Sequence, residues 1–175
     1  MLKFKEILPT ANESVEFDFH VPININFGHR YPGDEGTHCY VIKDTKHESI
    51  FEIAIGPITG VLKYITLVSS NRVHMEMPQE DSIGTNSVDG LPSFEIKEWP
   101  QDAYYADTTI DFDTYINSDK ILIIFSSQKI YTKVTNNRVS LGFDKNNILH
   151  SIELKNLTPN EKSLLEEIIN KKGCL

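Results

Sequence analysis

Cysteine is scarce in this chain: Cys39 and Cys174 are the two present in 175 residues, too few for a disulfide framework. Long apolar runs are absent, and none approaches the roughly 18–20 residues that a membrane-spanning helix needs. Basic excess is also absent. Asp and Glu number 25 against 17 Lys and Arg, for a formal charge of −8, which argues against general affinity for nucleic acid because phosphate binding needs a basic surface. The N-terminal residues lack the apolar core and small-residue cleavage site of a signal peptide. Cys174 stands next to last rather than fourth from the end, so it does not form a prenylation signal. No G-x-G-x-x-G, phosphate loop, G-x-S-x-G or H-E-x-x-H occurs. These absences predict a cytoplasmic protein with reduced thiols, no cofactor and no membrane attachment.

What is abundant points to a packed domain. The chain holds 21 Ile, 9 Phe and 7 Tyr, which argues against disorder, and its length suits one domain, 1–175, able to bury its own core. Period-two alternation dominates. Val15, Phe17 and Phe19 share one face with acids opposite, and Val21, Ile23, Ile25 and Phe27 continue after Pro22, where an edge or break is expected. Ile50–Ile55 and Val61–Val68 flank Gly56-Pro-Ile-Thr-Gly60, which predicts a hairpin with a loop of about five residues. Arg72–Met77 alternates as a further strand. Ile121–Phe125 reads as a central strand, and Lys129–Val134, Val139–Phe143 and Ile148–Leu154 read as an antiparallel meander with an Asp/Asn turn.

One helix is predicted. Thr158-Pro-Asn-Glu161 forms a capping box with Pro159 at the first helical position. Leu164, Leu165, Ile168 and Ile169 then make an apolar stripe that should cover a sheet face. The expected class is therefore α+β, β-dominated, with antiparallel meander sheets and one C-terminal helix. The hairpins Phe51–Val68 and Val139–Leu154 share an apolar pair followed by Ile–x–Leu. Two similar β halves, 1–77 and 119–175, joined by an acidic segment, 78–118, would produce that likeness. The common grammar of any two hairpins also produces it, and is preferred because the period does not recur a third time.

Reactive residue types concentrate in His29–Cys39. Cys39 could act as a nucleophile with His29 or His38 as base and Asp34 or Glu35 as orienter, but Cys39 before Tyr-Val-Ile also fits a strand position, and a polar Gly-rich loop accounts for the rest. The six histidines lack the close spacing of a zinc site. Asp111 and Asp113 could face one cation, without the glycine and distal Glu of a calcium loop. The spacing assigns no metal and no catalytic residue.

Charge is more informative. Between Glu76 and Asp119 there are eleven acids and one base, Lys97, for −10, while the other 131 residues hold 14 acids and 16 bases. The same segment carries Trp99, Tyr104, Tyr105, Phe112 and Tyr115. Rings supply desolvated anchors and acids steer a basic partner. The candidate partner-binding residues are therefore Glu95, Glu98, Trp99, Asp102, Tyr104, Tyr105, Asp107, Asp111 and Asp113.

The C-terminal hairpin Val139-Ser-Leu-Gly-Phe-Asp-Lys-Asn-Asn-Ile-Leu-His-Ser-Ile-Glu-Leu154, together with the acidic segment, resembles immunity proteins of bacterial polymorphic-toxin systems. The resemblance covers 16 residues. It implies a non-enzymatic inhibitor that binds a cognate toxin, often a basic nuclease, through an acidic patch. Two other readings stay open: a small enzyme or ligand-binding β-barrel using the His29–Cys39 loop, and a structural homodimer joined through exposed sheet edges.

Overall fold

The computed structural model describes residues 1–28, 34–79, 85–97, 99, 103–172 and 175. In chain order the strands are β1 (Phe4–Leu8), β2 (Glu13–Glu16), β3 (Ile23–Phe27), β4 (His38–Lys43), β5 (Ile50–Ile55), β6 (Leu62–Ser69), β7 (Val73–His74) and β8 (Asn86–Asp89). They continue with β9 (Leu91–Phe94), β10 (Tyr105–Thr109), β11 (Asp113–Ile116), β12 (Ile121–Ile124), β13 (Thr132–Asn136), β14 (Val139–Phe143) and β15 (Leu149–Leu154), and α1 (Pro159–Lys172) follows. The class is α+β and β-dominated, as the alternation predicts. Among the described residues the strands form a six-stranded sheet, β10-β4-β5-β6-β3-β2, a seven-stranded sheet, β7-β11-β12-β15-β14-β13-β8, and the pair β1-β9.

The two large sheets pack face to face. Strand pairing aligns Ile53, Ile65 and Ile25 in one row of the six-stranded sheet, and Ile42, Phe51, Leu67 and Ile23 in the next. In the seven-stranded sheet the corresponding rows are Ile123, Ile152, Leu141 and Val134, then Ile121, Leu154 and Val139. Because successive side chains point to opposite faces, these rows are the inner faces of a sandwich. The rings of Phe51 and Phe125 meet between them at 5.2 Å, and each of these apolar residues is buried. Burying one such side chain is worth about 1.5–3 kcal/mol.

Both predicted hairpins form, β5–β6 and β14–β15. The first turn is tied down from two sides. Gly60 has φ +71°, and a Cβ there would lie 2.0 Å from the Phe94 carbonyl oxygen, so glycine alone lets β9 come this close. Asp34 accepts hydrogen bonds from the Ile58 N–H at 2.8 Å and the Thr59 hydroxyl at 2.6 Å. Other strands are shorter than the pattern predicts. The Val15–Phe19 strand ends at Glu16 and leaves Phe19 41% exposed, and Arg72–Met77 reduces to Val73–His74.

The helix begins as predicted. The Thr158 N–H donates to Glu161 Oε2 at 2.7 Å, and the Glu161 N–H donates to Thr158 Oγ1 at 3.3 Å. Arg138 adds a two-pronged pair to the same carboxylate. Its buried stripe is narrower than expected: Leu165 and Ile168 reach the core while Leu164 stays 45% exposed. Adjacent helical residues stand about 100° apart, so a helix touching the core along one line cannot bury both leucines. No described helix is long and apolar enough to cross a membrane.

The acidic segment does not form one separate body. Its residues supply β8, β9, β10 and β11, which enter all three sheets.

Candidate functional site

Four of the described acids in that segment meet bases from elsewhere in the chain. Glu95 pairs with Lys3 at 3.2 Å and Asp107 with Lys43 at 3.0 Å. Arg72 reaches both Asp111, at 3.3 Å, and Asp113, at 3.0 Å, and His74 Nε2 lies 2.8 Å from Asp113. Asp111 also accepts from the Thr45 N–H and hydroxyl, which, with Arg72, hold its carboxyl below the usual range. Glu98 and Asp102 lie outside the described residues. The two carboxylates proposed for a cation thus share an arginine. Among the described residues, no group of three His, Cys, Asp or Glu side chains is placed to hold a metal.

The aromatics divide between core and surface. Phe112 is fully buried. Trp99 is half-buried: its ring stacks on His38 at 4.7 Å and its indole N–H donates to the Ala103 carbonyl at 2.9 Å. His38 and Tyr40 lie on the inward side of β4, and Trp99 packs against both rings and the core. Tyr115 stacks on His74 at 4.7 Å. Tyr104 and Tyr105 alone of the five predicted rings stand out, at 81% and 65% exposure.

Tyr105 belongs to a surface that the sequence reading did not assemble. Pairing of β10 with β4 is parallel, and it places Tyr105 in a row with Cys39, Ala54 and Tyr64 on the outer face of the six-stranded sheet. The next row runs Asp107, Val41, Glu52, Thr66, Asn24 and Glu16. Tyrosines and acids drawn from four strands thus lie together, with β10 as one edge. Glu16, Glu52 and Tyr64 were not singled out from the sequence, since each sits in an ordinary alternating strand.

Cys39 sits in the middle of this face, half-buried, with Sγ 4.0 Å from both Glu52 Oε2 and Tyr64 Oη. Burial and the Glu52 carboxylate push its thiol up from the ordinary value. A nucleophilic cysteine needs the opposite environment. Asp34, the proposed orienter, is committed to the Gly56–Gly60 turn, where hydrogen bonds from Thr59 and Ile58 overcome burial and keep its carboxyl low. His29 lies outside the described residues.

No protein-family model and no curated protein matches the chain.

The seven-stranded sheet presents a different outer face. Residues of 126–130 and Pro78–Gln79 wall a groove of about 570 Å³ over it. On its floor lies Glu153, with a side chain 3% exposed and ion-paired to Lys120 and Lys155 at 3.1 Å each and to Lys133. Burial opposes ionisation of Glu153, but the lysines outweigh it and hold the carboxyl below its ordinary range.

Proposed function

We propose that this chain is a non-enzymatic protein-binding module acting in the cytoplasm, and that the outer face of its six-stranded sheet docks a basic protein. In the immunity-protein reading that partner is a cognate toxin domain. The observation that carries the proposal is the exposure of two adjacent tyrosines, Tyr104 and Tyr105, where edge strand β10 begins. Exposed aromatics grouped with polar residues mark interaction surfaces, and tyrosine is among the residues that dominate binding energy. Glu16, Glu52 and Asp107 share the face against Lys43, so its field favours a cationic partner. The raised thiol of Cys39 weighs against an enzyme at the same place.

The test is capture from the native host by the wild-type chain and by a Tyr104→Ala/Tyr105→Ala variant, at low and high salt. The proposal expects a basic protein captured by wild type, released as salt screens the charges, and lost in the variant. Capture that is indifferent to both salt and variant would sink it. Sedimentation of the purified chain identifies self-pairing along β10, which would replace the basic partner with a second copy.

A further inference from the structure

The walled groove lies on the far side of the sandwich from the tyrosine face, and the docking reading makes no use of it. Pairing across adjacent strands aligns Asp113, Ile124, Ser151, Gly142 and Lys133 along its floor. Tyr115, Leu122 and Glu153 form the next row. Three chemically distinct zones result: acids with Arg72 at one end, an apolar middle of Tyr115, Leu122 and Ile124, and lysines at the other end.

The cationic end is built into the sheet. Among the described residues, Lys133 and Lys155 have Glu153 as their ion-pair partner. Setting Lys120 aside, two ammonium groups already share one carboxylate, and Lys129 on the groove wall adds a third cation. An ammonium has three donors, and Lys133 spends one on Glu153 while lining the groove. Anchoring on a buried carboxylate fixes that charge before any ligand arrives, so little ordering cost remains at binding. Gly142 seats the wall: a Cβ there would lie 2.4 Å from Ser151 Oγ and 3.0 Å from Ile130 Cδ1. Ser127, Gln128 and Ser151 supply neutral polar atoms.

We propose that this groove binds a phosphorylated small molecule, with its phosphate at Lys133 and Lys129 and its apolar or aromatic body over Tyr115, Leu122 and Ile124. Lys129, Lys133 and Lys155 outnumber Glu153 and Asp89, which strand pairing puts in one outward row, so that end favours an anion, and lysine serves phosphate as a point charge. Asp111 and Asp113 at the opposite end repel a phosphate, which gives the ligand one orientation. The volume lies within the range, about 300–1,000 Å³, that small-molecule sites occupy. The inference does not rest on the docking proposal, which concerns the other sheet.

Calorimetry with inorganic phosphate, phenyl phosphate and adenosine monophosphate, with adenosine as the uncharged control, tests it. Both organic phosphates should bind with submillimolar affinity, adenosine and inorganic phosphate each about tenfold more weakly. Lys133→Met should weaken the organic phosphates about tenfold. Lys129→Met, which removes an exposed lysine without disturbing Glu153, should weaken them several-fold. In methyl NMR spectra phenyl phosphate should shift Leu122, Ile124 and Ile130 and leave Ile23 and Ile65 unmoved. No heat from any of the three phosphates at millimolar concentration, equal affinity for adenosine and its monophosphate, or affinity unchanged in Lys129→Met would each overturn the assignment.

Discussion

The two outer faces of this sandwich arise from the same period-two pattern and do opposite things with charge. On the six-stranded sheet the acids stand at the surface, spread over several strands. On the seven-stranded sheet one acid, Glu153, is buried and gathers lysines from β13, the β15 end and the residue before β12. The difference teaches that a charge's value depends on what covers it. An exposed pair contributes about 0–1 kcal/mol, whereas removing one partner of a buried pair leaves an uncompensated charge and costs several times more.

A matched pair of substitutions separates the two faces. Glu153→Gln should destabilise the fold by about 3–5 kcal/mol, and Glu52→Gln should stay within about 0.5 kcal/mol, both read from urea unfolding. Equal losses would erase the distinction between the faces. Acid sharpens it further. Glu153 has its carboxyl held below the ordinary 4.5, so the unfolded state binds its proton first as pH falls. Its contribution is full above that value and disappears as pH drops through the lower folded value. The stability gap between wild type and Glu153→Gln should therefore hold from neutral pH down to about 5 and shrink as pH falls below 4.5. A gap that instead widens in acid would contradict the assigned sign. The helix cap gives the smallest effect: Thr158→Ala should cost about 1 kcal/mol, visible as a lower thermal midpoint, because Arg138 still holds Glu161 in place.

Local grammar was readable in the sequence. The hairpins β5–β6 and β14–β15 and the Thr158–Glu161 cap depend on neighbours within a few residues, so turn chemistry and periodicity carry them. The edge strands β8 and β10 were not readable, because Asn86–Asp89 and Tyr105–Thr109 are short and polar and owe their form to distant partners. The acidic segment was visible as composition. Its pairing with Lys3, Lys43 and Arg72 was not, since folding alone brings those bases across. The lysine cluster around buried Glu153 left only one trace in the sequence, an acid between Ile152 and Leu154 in β15, and alternation alone does not distinguish a buried acid from a solvent-facing one. Of the nine residues predicted to meet a partner, Tyr105 and Asp107 share the six-stranded outer face, with Tyr104 at its edge. Asp111 and Asp113 face the groove instead, Glu95 joins Lys3, and Trp99 packs against His38.

The parallel pairings carry a kinetic consequence. β10 on β4, β8 on β13 and β7 on β11 each join residues forty or more positions apart, whereas the two hairpins close on themselves. Loops of that length close more slowly than hairpins, and β7, β8 and β10 all lie at sheet edges, so they are expected to join last and leave first. Amide exchange along β10 should then run through local opening rather than global unfolding. A protein seated on Tyr104 and Tyr105 would slow that opening, so that docking and the last step of folding draw on the same row of hydrogen bonds.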